Sequence, residues 1–135
     1  MSRVKYEVPV IIPEKIRQYL VKKLWIEWYQ EEGDWKDMVE ENERVLYEIK
    51  WSDWSLRVVP LASLFLDPLI TNYPAFKESL DKRMTYQRGR IDKGVAIEPV
   101  VTMWNGFLHD GYHRVMVLRD MGEEFVLAYV GREPD

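Results

Sequence analysis

The chain has 135 residues, 47% of them apolar, a formal charge of -4 and no cysteine. That is enough chain for one domain with a hydrophobic core, and it excludes disulfides, thiolate catalysis and sulfur-ligated zinc. The acidic balance gives no bulk attraction to nucleic acid; with no apolar run of about 18 residues and no charged leader, a cytoplasmic protein without signal peptide or membrane span is expected.

Val8 to Ile12 is apolar but interrupted by Pro9, which suits an edge strand or an extended arm. Pro13 fits the first turn of a helix. From Glu14 to Glu31, Ile16, Leu20, Leu24 and Trp28 recur every four positions, the spacing of an amphipathic helix. Val21, Trp25 and Tyr29 widen its apolar stripe, and Gly33 ends it. A second helix is expected from Asp34, with Asp34 and Asp37 at its cap and first turn. Its apolar face holds Trp35, Met38, Val39, Val45, Leu46 and Ile49. Residues 1–50 are net -2, with 9 basic and 11 acidic residues, so these helices carry no signal for DNA binding. Trp51 to Trp54 reads as a link. The six tryptophans serve as core filler, as a stacking platform for bases, or as an oligomer contact.

Leu56 to Val59 reads as a strand, Leu61 to Phe65 as a helical turn and Asp67-Pro68 as loop. Pro74 opens a helix whose buried ridge is Phe76, Leu80 and Met84. The segment from Lys77 to Lys93 is the one basic region, with six basic and three acidic residues. Its densest part, Arg83, Arg88, Arg90 and Lys93, is read as a loop loosened by Gly89 and Gly94. That loop either lies solvated or adds contacts to phosphates.

The most informative stretch runs from Glu98 to Val130. Val100 to Met103 is a strand, Asn105-Gly106 a hairpin turn signal, and Phe107 to His109 a short return strand. A helix is expected from Tyr112 to Met121, stopped by Gly122, and then a strand from Phe125 to Val130. Both histidines, His109 and His113, fall where the return strand meets this helix. There, Asp110 is placed to cap the helix and Gly111 leaves the backbone open to a ligand. Arg114 in the first turn can grip an anion, and His113 can hold or protonate one of its oxygens. An ordinary helix cap reads the same way from residues alone.

This stretch, with the box Asp110-Gly111-Tyr112-His113-Arg114, resembles the ParB/sulfiredoxin superfamily, and the match reaches upstream to about Leu56. The resemblance implies an α+β fold, a small mixed β-sheet flanked by helices. It places a ParB/sulfiredoxin-like domain at 55–135 behind a two-helix extension at 1–54 packed on the same domain. Sulfiredoxins carry their catalytic cysteine where this chain has Tyr112, so that chemistry is excluded. Partition ParB proteins carry a Gly-Glu-Arg-Arg box and bind a nucleoside triphosphate; here only Arg114 of that pair remains. The Asp-Gly-x-His-Arg form is closest to the free serine kinase branch and to archaeal, bacterial and phage relatives.

Two classes of function follow. In the first, Gly111, Tyr112, His113 and Arg114 cradle phosphate in a phosphotransferase or nucleotide hydrolase that uses ATP, ADP or CTP with Mg²⁺. His113, Asp110 and Glu98 are its catalytic candidates; Arg83, Arg88, Arg90 and Lys93 add anion contacts, and Trp104 stacks on a base. The metal ligands are left unassigned. In the second, the chain is a DNA-associated ParB-like binding protein or nuclease, or a non-catalytic adaptor, with a homodimer expected through the aromatic helices. Partition proteins add a helix-turn-helix after the box domain, and this sequence runs only five residues past the closing strand.

Overall fold

The computed structural model describes residues 4–26 and 39–134. They divide into two compact units, one of Met1–Pro9 with Leu56–Val130 and one of Val10–Ser55 with Gly131–Asp135.

In the second unit, α1 (Pro13–Ile26) packs on α2 (Val39–Trp51). The four-residue spacing does what it predicts: Ile16, Leu20 and Leu24 are fully buried, as is Ile49 on α2. Trp28, Tyr29, Gly33, Asp34, Trp35, Asp37 and Met38 lie outside the described residues. The expected link after α2 is a tight joint. Trp54 donates its indole N–H to the Ile49 carbonyl at 2.9 Å, and Arg17 donates through Nε and Nη2 to the Ser52 carbonyl. A Cβ on Gly131 would lie 2.7 Å from the Trp54 ring, so the indole is packed directly on bare backbone there.

The first unit holds the larger share of a four-stranded sheet of order β1-β4-β2-β3, with β1 at Asp53–Pro60, β2 at Val100–Met103, β3 at Leu108–Asp110 and β4 at Phe125–Arg132. β2 and β3 pair antiparallel, while Tyr6 bridges Ile97 and Phe65 bridges Phe107 in parallel sense, giving the mixed pattern expected. All four β2 residues are buried, as an interior strand requires. The amino-terminal arm is extended, as Pro9 suggested, and is tied by Glu7 N–H to the Ile97 carbonyl and Ile97 N–H to the Lys5 carbonyl, each at 2.9 Å. Helices α3 (Pro68–Thr71), α4 (Pro74–Asp92) and α5 (Tyr112–Asp120) complete the α+β fold.

Two expectations are corrected. Asp67-Pro68 is not loop: Asp67 caps α3, its carboxylate accepting the Leu69 N–H at 2.9 Å, with Pro68 in the first turn. The basic segment is not a loop either. α4 runs 19 residues straight through Gly89 and stops only at Gly94, whose φ is +77°. The reason is Ile91, which is buried seven positions after Met84 and extends the apolar ridge two further turns. That burial outweighs the cost of about 1 kcal/mol for one helical glycine.

Candidate functional site

The β3–α5 junction is set by Gly111. It stands at the N-cap of α5 with φ +103°, a conformation that penalises any residue bearing a Cβ. The cap position therefore falls one residue later than Asp110, where the sequence had placed it. A Cβ on Gly111 would also lie 2.5 Å from Val100 Cγ1. The glycine thus admits a neighbouring side chain on that face.

Arg114 is turned inward. Its Nη1 donates to the Glu98 carbonyl at 2.6 Å and to the Pro99 carbonyl at 3.2 Å, and its Nη2 donates to Asp110 Oδ2 at 3.0 Å. Both side chains of that ion pair are largely buried. Asp110, Arg114 and the Glu98 backbone are therefore brought together, as the sequence suggested, but as a bracket fastening α5 to the entry of β2.

Tyr112 is buried, accepting the Asp67 N–H at 3.0 Å and donating to the Leu108 carbonyl at 3.3 Å. Burial pushes its phenol up to about 12, against the lowering effect of the Asp67 N–H. The position that holds a cysteine in sulfiredoxins here holds a neutral phenol used as a structural bridge.

His113 takes a different course. Its ring stacks on Phe76 of α4, centroids 4.9 Å apart and planes 20° from parallel. Burial, the Arg83 charge and Arg114 push its pKa down to about 4, against the pull of Asp110 upward, so the ring is neutral near pH 7. Its Nε2 is buried and has no hydrogen-bond partner among the described residues. His109 is buried edge-on to Phe107.

Of the basic residues on α4, Arg83 is the one whose charge is felt at His113. Arg88 is paired with Asp92 at 3.3 Å, Arg90 lies over the Tyr86 ring, and Lys93 is the C-cap of α4. At 1.5 Å per residue, Arg90 is about 10 Å further along the helix than Arg83. Trp104 is 64% exposed in the β2–β3 turn, whereas the box opens from the other end of β3. Phe76 is the site residue that the sequence did not reveal. Its helical ridge marked it as core, but a stack on His113, 37 positions on, leaves no local signal.

Among the described residues, no group of three or more His, Asp or Glu side chains is arranged to hold a metal ion, and no helix is long and apolar enough to cross a membrane. No family model and no curated protein matches the chain. A solved structure of a Pnob8-like ParB-N domain is similar, with 20% identity and a TM-score of 0.45 over 58% of this chain. The match covers 29% of that longer chain.

Proposed function

We propose that the chain is a phosphate- or nucleotide-binding ParB-like protein whose ligand sits at the opening of α5, beside His113 and Arg83. The observation that carries this reading is the buried, partnerless Nε2 of a neutral His113 next to a cation. A buried polar atom left without a partner costs about 1–3 kcal/mol, which a ligand oxygen that displaces the groups covering it and accepts an Nε2–H would offset. Gly111 has no side chain to cap the helix. The first-turn N–H groups and the helix dipole favour an anion at this end.

The reading is one of binding. A phosphotransferase or hydrolase would need a base and carboxylates for Mg²⁺. Asp110 is committed to Arg114, and Glu98 enters the bracket through its carbonyl. Mg²⁺ would accordingly be held mainly by the phosphates of ATP, ADP or CTP, with the protein supplying Arg83 and backbone N–H groups.

Calorimetric titration with pyrophosphate, ADP, ATP and CTP, with and without Mg²⁺, tests this reading. Micromolar binding that Arg83→Ala and His113→Ala each weaken at least tenfold, with folding intact, supports it. No binding at millimolar concentration, or binding indifferent to both substitutions, overturns it.

A further inference from the structure

We propose that the exposed face of α4 formed by Lys82, Tyr86, Arg90 and Lys93 is a track for single-stranded nucleic acid, separate from the phosphate site at α5. The spacings of four, four and three residues place these side chains in one row on the helix. At 1.5 Å per residue the row is about 16 Å long, room for several successive phosphates. Lys82, Tyr86 and Lys93 are exposed, and Arg90 is half-buried.

The charge on α4 is sorted by face. Asp81 and Asp92 share a different strip with Lys77 and Arg88, two acids against two bases, and Arg88 pairs with Asp92 there. The apolar ridge of Phe76 and Ile91 lies on a third face. Along the row itself the only acid is Glu78, one turn before Lys82, which marks its amino-terminal end. This sorting gives an otherwise acidic chain a local cationic strip.

Tyr86 decides between kinds of nucleic acid. Tyr86 is 60% exposed in the middle of the row. Arg90 fixes it, with the guanidinium carbon 5.5 Å from the ring centroid and Nη1 donating to the phenol oxygen at 3.1 Å. A held, exposed aromatic between cations offers a base a surface to stack on, and a base can reach it only when unpaired. Duplex DNA would meet the cations but leave the ring unused.

The test is fluorescence anisotropy of a labelled 20-nucleotide oligo-dT strand with the full chain, from low to moderate salt. Three phosphate contacts predict a slope of about -2 in log affinity against log salt. Lys82→Ala/Arg90→Ala/Lys93→Ala should flatten that slope and weaken binding at least about tenfold at low salt. Tyr86→Ala should cost about fivefold or more. If the triple variant misfolds, Lys82→Glu/Lys93→Glu takes its place, with the same loss expected. Absence of binding at low salt, equal binding of a duplex of the same length or of poly-glutamate, or variants that bind like the parent would each overturn the proposal.

Discussion

The Arg114 guanidinium donates to the Glu98 carbonyl at 2.6 Å, across 16 residues of chain. With its bonds to Pro99 and Asp110, that contact makes Arg114 a fastener between α5 and β2. Arg114→Ala would remove one donor from a largely buried carboxylate and from each of two carbonyls. A loss of about 2–4 kcal/mol is expected. Arg114→Lys should recover only part of it, because an ammonium lacks the fork that spans these acceptors. Urea denaturation measures both. A stable Arg114→Ala protein that has lost phosphate binding would instead make the arginine a ligand contact.

Gly111 and Val100 form a second dependent pair. Alanine at Gly111 would meet a positive φ and a Cβ contact of 2.5 Å with Val100 Cγ1. Backbone strain and overpacking together predict a loss of about 2 kcal/mol or more. Val100→Ala removes the nearer atom, so the double variant should be more stable than the two single losses predict. Strict additivity in a double-mutant cycle would show that the two do not touch.

The legible parts of this molecule were those written in local periodicity or in a short box. Ile16, Leu20 and Leu24 disclosed α1 through four-residue spacing, and Asp110 to Arg114 disclosed a strand–turn–helix junction. The extent of α4 was missed because Gly89 is a local breaker, whereas Ile91 keeps the helix through distant packing. Inside the box, the strand–helix junction was legible and the partners of each side chain were not. Whether an arginine faces a ligand or two backbone carbonyls depends on where β2 starts, and whether a glycine faces open space depends on Val100. Neither is encoded within five residues.

Tyr112 ties Asp67 to Leu108 through one hydroxyl. Tyr112→Phe keeps the ring and its edge-on contact with Phe76 but removes that hydroxyl. A loss of about 1–3 kcal/mol is expected, since the Asp67 N–H loses its acceptor. Hydrogen exchange should show faster opening of the Asp67 amide in particular. An unchanged amide would mean that α3 is held by its own cap.

His113 predicts a dependence of stability on pH with a definite sign. Its folded pKa is lowered to about 4 from an ordinary value of 6.5, with burial the largest cause and Arg83 next. Between those values the unfolded chain binds a proton that the folded chain does not. Stability therefore rises with pH across this window and is lost as pH falls from about 6.5 towards 4. Above 6.5 both states are neutral and the contribution is flat. Carboxylates titrate in the same range, so the quantity to read is the difference between the parent and His113→Gln. The parent's melting temperature should fall more steeply on acidification than the variant's. Arg83→Ala, by removing one cation, should move the histidine's NMR titration upward from about 4 without restoring 6.5, because burial remains. Parallel melting curves for parent and His113→Gln, or a His113 resonance that titrates near 6.5, would show a solvated ring and remove the neutral, partnerless nitrogen on which the phosphate reading depends.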